Sequence, residues 1–550
     1  MNRKVLSIAS LLIVVSLVLA ACGTTAAPTE APAPTKAPEP TKAPEPTEAP
    51  AASGMSNTLT AAHSEYAFTF EPTFCNWSDV GRICVVAYDA LLKYNPETKE
   101  LVPWVAKEWD ISDDGLTYTF KIEEGIKFHD GSDLTASDVK YTLDRLIALD
   151  DGVAQVLYAV DSVETVDDYT VAINLSSPNA AFLFGLPLIF IINEDGTKAN
   201  EVDGDWGAAY LMENDLGSGP YTLTSSVPEQ QAVFEKFDDY WKGWDGEHVD
   251  GVTFLWIKES ATQRLMVENG ELDISMEPSG DDLAAWDENP DYQVLSADSP
   301  VVYYLAYRVI KEPLDNPDVR KALTLAVDSE YVLDVGVAGY GRLARSPLAS
   351  SLPYHNSDIE LVPFDMEQAK ALLAEAGYPD GGFTVKIGYE AEQPWKARTI
   401  EMLQQNWGEL GVEVEPLGMD YMAQEAMQQD AESEPDAFLH HIWPSAAEPD
   451  IALRPFFHGD HKGVFGENAS YWSDPEVDRL FDEGIVETDP VKREAIYREI
   501  QQRIVDATTG AWILELPFTI VANNYVQGYI YNPAIHQSLD VYNMQLEGKP

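Results

Sequence analysis

The chain has 550 residues, with 35 Lys and Arg against 92 Asp and Glu, a formal net charge of -57 at pH 7. A polyanion of that strength is repelled by nucleic-acid phosphates and anionic lipid headgroups, which excludes a nucleic-acid partner and leaves a neutral or cationic small ligand open. The length exceeds what one hydrophobic core usually serves, so two or more lobes are expected, and 11% aromatic residues suit well-packed ones.

The chain starts with a short basic flank, Arg3 and Lys4. An apolar run from Val5 to Ala20 follows, broken only by Ser7, Ser10 and Ser16. Leu19-Ala20-Ala21 then leads into Cys22. A basic flank, an apolar core and small residues before a cut describe a secretory signal peptide over 1–21. The cysteine directly after the small pair resembles the lipobox of bacterial lipoproteins. That resemblance implies cleavage before Cys22 and diacylation of its sulfur, and two acyl chains hold a protein stably on a bilayer. The protein is therefore expected outside the cytoplasm, on a membrane it does not cross. Residues 22–54 carry the anchor and a tract of Ala, Pro, Thr, Glu and Lys containing PTKAPEPTKAPEPTEAP. Such composition cannot offset the entropy of ordering, and its prolines favour extension at ~3.1 Å per residue, a stalk of up to about 90 Å. Of three cysteines, Cys75 and Cys84 remain as a pair in an oxidising compartment. Their disulfide is left open, because a single helix over 76–91 would hold the α-carbons too far apart to bridge. No zinc-binding spacing occurs, and no cofactor is expected.

Beyond the stalk the chain alternates strand-like and helix-like pieces. Leu116 to Ile122 alternates apolar and polar residues, as a half-buried strand does. Thr135-Ala136-Ser137-Asp138 reads as a capping box ahead of a helical run from Val139 to Leu149. Asp365 to Gln368 caps a second helix with Ala369, Leu372, Leu373 and Ala376 on one face, ended by Gly377 and Pro379. Ser473-Asp474-Pro475-Glu476 opens a third, and Val491 to Asp506 is a longer amphipathic one. The alternation points to α/β lobes.

Several segments, in order, resemble the extracytoplasmic solute-binding proteins of family 5, which serve ABC importers for peptides, nickel and related solutes. The longest stretch is Tyr88 to Leu146, where Lys127-Phe128-His129-Asp130-Gly131 and Thr135-Ala136 match the family's turn-and-helix pattern. GSGPYTL (Gly217 to Leu223), DDYWKG (Asp238 to Gly243), NGELDI (Asn269 to Ile274) and DVRKALTLAVD (Asp318 to Asp328) follow. The series closes with AKALLAEAGYPDGG (Ala369 to Gly382), DPEVDRLFDEG (Asp474 to Gly484) and KREAIYREIQQRI (Lys492 to Ile504). The resemblance implies an α/β, two-lobed type II periplasmic-binding-protein fold with an extra subdomain in the first lobe. By analogy the first lobe takes 55–88, 218–300 and 519–550, the inserted subdomain 89–217, and the second lobe 301–518. Hinges are then expected near Pro300 and Pro517.

The resemblance also implies a role: capture of a ligand between hinged lobes and delivery to an ABC permease and ATPase complex, by a lipid-anchored monomer. A peptide is the expected ligand. An oligosaccharide, or service to a sensor instead of an importer, is the alternative. Asn76, Trp77 and Ser78 fall on the cleft floor of the first lobe. Peptide binders usually read W-x-x-D and then D-P or E-P, the aspartate pairing the peptide's α-ammonium. Here Trp443 is followed by Ala446 in the clamp position, with Glu448 and Asp450 as the carboxylates able to substitute. His440 stands where some relatives have arginine, and Tyr421 where they have a cleft aromatic. His458-Gly459-Asp460-His461 has metal-ligand residue types but reads as a solvated surface turn, so no metal is expected. Ser137 and Lys140 fit the S-x-x-K pattern of acyl-transferring enzymes, but no S-D-N or K-T-G element accompanies them, so no enzyme is expected.

Overall fold

The structure, a computed structural model, describes residues 57–64, 66–276, 278–463, 466–535 and 538–550. The expected signal peptide 1–21, the anchor Cys22 and the stalk 22–54 lie outside the described residues. No described helix is long and apolar enough to cross a membrane.

Two large mixed sheets organise the chain. The first has seven strands in the order Tyr292–Ala297, Phe518–Asn523, Ile274–Ser275, Thr58–His63, Gly251–Trp256, Gln231–Lys236 and Tyr221–Val227. Its centre is parallel: Thr58–His63 pairs with both Gly251–Trp256 and Ile274–Ser275. Parallel strands covered on both faces read as continuous apolar runs, and GVTFLW is such a run. The second sheet has six strands in the order Arg342–Leu343, Gly510–Glu515, Val302–Tyr307, Ala437–Ile442, Thr384–Glu390 and Glu413–Met419. Gly510–Glu515 and Ala437–Ile442 are buried along their whole length. The chain passes from the first sheet to the second at 298–301 and back at 516–517. These two crossings touch: Ser299 Oγ donates to the Leu516 carbonyl at 2.5 Å.

A four-stranded antiparallel sheet, Ala106–Ile111, Thr117–Ile122, Thr170–Leu175 and Val160–Asp167, stands apart from both. Its second strand is the one the alternation at 116–122 predicts, and every other residue of it is buried. The helix Ala136–Leu149 begins with the predicted capping box, Thr135 N and Oγ1 both donating to Asp138 Oδ2 at 2.9 and 3.0 Å. The predicted helices further on are Met366–Glu375, capped by Asp365, Pro475–Val486, capped by Asp474, and Pro490–Asp506.

The family-like motifs have visible physical reasons. In the turn after Phe128, Gly131 takes a φ of +87°, which L side chains avoid. The His129 ring is held between Asp215 Oδ1 (Nδ1, 2.5 Å) and the Gly219 carbonyl (Nε2, 3.0 Å). GSGP crosses under the end of the helix Ser78–Ala87 so closely that a Cβ on Gly217 would lie 1.9 Å from the Ala87 carbonyl oxygen. Ser218 Oγ, Trp104 Nε1 and Trp241 Nε1 all donate to the buried Asp89 carboxylate, at 3.1, 2.6 and 3.1 Å.

Cys75 and Cys84 form a disulfide, with α-carbons 6.1 Å apart. The reservation about a helix over 76–91 is answered by its start. The helix is only Ser78–Ala87, and Cys75 sits in the turn that follows the short 3-10 helix Pro72–Phe74, folded back towards Cys84.

Candidate functional site

The first group of predicted residues lies where the chain enters the helix Ser78–Ala87. Glu71 caps the preceding turn, accepting from Thr73 N at 3.0 Å and Thr73 Oγ1 at 2.7 Å. The same carboxylate forms a two-pronged pair with Arg145, Nη1 to Oε1 at 2.8 Å and Nη2 to Oε2 at 2.5 Å, both residues 1% exposed. This pair and the disulfide fix a rigid loop that presents Asn76 and Trp77. Asn76 Oδ1 is buried and has no hydrogen-bond partner among the described residues. Trp77 is 44% exposed, edge-on to the equally open Phe68 at 5.9 Å, so its ring is not simply packed beneath the subdomain. Ser78 is the first residue of the helix.

The second group gathers at the end of the buried strand Ala437–Ile442. His441 is its centre. Tyr421 stacks on the imidazole (6.2 Å, 20°), while Trp443 and Tyr303 approach it at 5.5 Å each, and Trp395 stands edge-on to Tyr303 at 5.0 Å. Tyr421 is placed by its own helix, Tyr421–Gln428, whose N-cap Asp420 accepts from Ala423 N. Behind the wall Lys396 Nζ pairs with Glu390 Oε1 at 2.5 Å, fully buried. Burial lowers the Lys396 pKa, and the Glu390 charge opposes that.

Ala446, the residue that the resemblance sets at the clamp position, is fully buried and belongs to a hydrophobic core shared with strands of the first sheet and of the four-stranded sheet. The two carboxylates offered as substitutes have other partners. Glu448 is the N-cap of the helix Pro449–Phe457, its Oε2 accepting from Asp450 N at 2.7 Å and Ile451 N at 3.0 Å, and its Oε1 pairs with Arg493. Asp450 accepts from Arg454 Nε at 2.8 Å and from Tyr497 Oη at 2.6 Å. Both are buried within this network.

His440 points to the opposite face of the strand from His441. It is 2% exposed, and burial, with Lys396 adding to it, pushes its pKa down to about 3. Its Nδ1 lies 3.2 Å from Gln428 Nε2, and its Nε2 has no partner among the described residues. Around it stand Glu425, Gln428 and Glu467. Burial, reinforced by the charges of Glu467 and Glu390, pushes the Glu425 carboxyl up to about 8, and burial raises that of Glu467. Sequence reading missed Glu425 and Glu467. They come from a helix and a distant loop, and no local spacing links positions 425, 440 and 467.

Two other sequence features take structural parts. Ser137 Oγ donates to Glu194 Oε2 at 2.5 Å, while Lys140 Nζ donates to Asp144 Oδ2 and the Val163 carbonyl at 2.6 and 2.8 Å, so each is bonded elsewhere and not to the other. The turn at 458–461 is less solvated than its composition predicts. His458 ends the helix Pro449–Phe457, packs on Phe481 at 6.0 Å and is buried.

Residues 100–464 match the family described as bacterial extracellular solute-binding proteins, family 5 Middle. Heme-binding protein A of Haemophilus influenzae is 26% identical over 525 residues, covering 91% of this chain and 94% of that protein. The glutathione-binding protein GsiB of Pectobacterium atrosepticum is 28% identical over 423 residues, covering 76% and 80%. Among solved structures, a dipeptide-binding protein from Pseudoalteromonas sp. SM9913 in complex with Met-Leu superposes with a TM-score of 0.78 at 22% identity, over 89% of this chain and all of that one. The two sheets joined by a paired crossing are thus the two lobes of a periplasmic-binding-protein fold. With the family pattern matched across two thirds of its length, the chain belongs to family 5 of the bacterial extracellular solute-binding proteins, the ligand-capturing components of ABC importers.

Proposed function

We propose that the chain is a monomeric, lipid-anchored solute-binding protein that captures a peptide between its lobes and passes it to an ABC permease and ATPase complex. The observation that carries the choice of ligand is the aromatic wall of Tyr421, His441 and Trp443 beside a clamp position filled by Ala446. Such a wall holds side chains by flat apolar contact and leaves the peptide's α-ammonium without the acidic partner that clamp-bearing relatives supply. Relatives named for dipeptides and glutathione support a peptide or peptide-like ligand. Trp443, Tyr421 and Trp77 are proposed to touch the ligand, with Asn76 and the Ser78 backbone on the opposite wall and His440 behind. Glu448 and Asp450 are proposed to shape the loop from inside.

In this reading the first lobe takes 55–88, 218–300 and 519–550, the inserted subdomain 89–217 and the second lobe 301–518. The paired stretches 298–301 and 516–517 act as the hinge, and closure creates the surface a permease reads. Cys22 carries the anchor, so Cys22→Ser releases the protein from membranes without altering ligand affinity. Recovery of the variant in the membrane fraction refutes the anchor.

The deciding experiment is mass spectrometry of whatever co-purifies with the full chain, followed by calorimetric titration with that compound. Peptides are expected, with affinity little changed by N-terminal acetylation. Loss of binding on acetylation overturns the clamp argument. Oligosaccharides in place of peptides give the second reading, which the same aromatic platforms favour.

A further inference from the structure

Beneath the aromatic wall lies a polar chamber of which the binding reading uses only His440, as a backing residue. Glu425 and Gln428 face it from the helix Tyr421–Gln428, His440 from the strand Ala437–Ile442, and Glu467 from the loop before Ala469. One ligating atom each of Glu425, His440 and Glu467 lies within 4.8 Å of the other two. Among them are buried polar atoms without partners among the described residues: His440 Nε2, Glu425 Oε1 and Gln428 Oε1. Buried polar groups are normally satisfied, so several orphans aimed into one space mark a place where something else completes the bonding.

We propose that Glu425, His440 and Glu467 form a binding site for a first-row divalent cation such as Zn2+ or Mn2+, with the imidazole buried and the two carboxylates partly buried. Charge balance favours it. Two partly buried carboxylates brought together repel one another, and a divalent ion with the buried, neutral imidazole makes the set electroneutral. Donor chemistry agrees, since one imidazole and two carboxylates suit zinc and manganese and not the soft cuprous ion. Ligand atoms bonded at about 2.1 Å sit roughly 3–4 Å apart, so the observed spread closes by side-chain movement on the order of 1 Å. Gln428 supplies the orienting bond. Rotating its amide places Oε1 against His440 Nδ1, satisfies an oxygen that otherwise lacks a partner, and fixes the tautomer whose free lone pair is on the unpartnered Nε2. The inference does not rest on which ligand the cleft takes.

The test is titration of the chelator-washed full chain with Zn2+ alone and with Mn2+ alone, read by calorimetry and elemental analysis. One tightly held ion per chain is expected, well resolved from weak binding to the acidic surface. X-ray absorption of the zinc form should show nitrogen and oxygen neighbours and no sulfur. Glu467→Gln and Glu425→Gln should each abolish that tight site while leaving circular dichroism and the melting profile those of a folded protein. Gln428→Leu should weaken it by about 10- to 100-fold, as loss of an orienting partner does. His461→Ala should leave it unchanged. A wild-type chain that retains neither ion tightly overturns the proposal, as does a tight ion that survives both glutamine variants. If no ion binds but Glu467→Gln abolishes binding of cationic ligands, the chamber is a pocket for the ligand's own cation and the metal assignment is wrong.

Discussion

Glu71→Gln should be the most damaging single-charge substitution near the loop that carries Asn76 and Trp77, and its cost can be worked from the contacts. Glu71 Oε1 holds Thr73 N, Thr73 Oγ1 and Arg145 Nη1, and Oε2 holds Arg145 Nη2. Glutamine keeps one acceptor oxygen, so the turn's cap survives, but the guanidinium loses its counter-charge. It keeps only neutral partners, the Trp206 carbonyl at 2.8 Å and Thr73 Oγ1 at 3.1 Å. Both side chains are shielded from solvent, so no screening softens the loss. Removing one partner of a buried pair costs about 3–5 kcal/mol, whereas replacing both by well-packed apolar groups is close to neutral. Equilibrium urea unfolding of the full chain, followed by tryptophan fluorescence, should show Glu71→Gln less stable by that amount. The double variant Glu71→Gln/Arg145→Met should recover most of it. A single-variant loss below about 1 kcal/mol, or a double variant no better than the single, refutes the claim that an uncompensated buried charge is the cause. Because Glu71 lies four residues before Cys75, ligand affinity should fall with stability in the single variant and return in the double.

Three further outcomes are expected. Trp443→Ala should weaken ligand binding tenfold to a hundredfold in calorimetry, from the loss of about 1–3 kcal/mol of aromatic contact, and an unchanged affinity removes the loop from the site. Replacing Cys75 and Cys84 by serine should cost about 2–3 kcal/mol, the chain-entropy value for so short a loop, measured by denaturant unfolding against the oxidised wild type; a loss near zero means the loop is held without the bond. Burial alone would lower the His129 pKa, but the Asp215 hydrogen bond and charge, with the Gly219 carbonyl, outweigh it and raise it. Protonation therefore favours the native state. The contribution is full below about pH 6.5 and fades as pH rises through the raised value, so the stability gap between wild type and Asp215→Asn should narrow as pH rises above about 6.5, and a constant gap contradicts the assignment.

Local features were legible because their causes are local. The capping box at Thr135 and Asp138, the alternation in Thr117–Ile122 and the caps at Asp365 and Asp474 depend on residues within a turn or two of one another. The disulfide was open because it hinged on where one helix starts, and helix starts shift by a residue or two for small energies. His458 read as a solvated turn because burial of a loop histidine depends on what packs over it, here Phe481.

The sequence by itself determined the family, the two-lobed α/β architecture and the absence of an aspartate at position 446, since these follow from ordered motifs and residue identity. Only the tertiary structure decided what the polar residues do. It committed Glu448 and Asp450 to an internal network with Arg493, Arg454 and Tyr497, and turned His440 and His441 to opposite faces of one strand. It also brought Glu425 and Glu467 to His440 from a helix and a loop separated in the chain. The physical reason is range. Caps and strand alternation are settled within a few residues, whereas the fate of a carboxylate or an imidazole is set by which distant groups share its burial, and that is fixed only when the sheets and helices close over it.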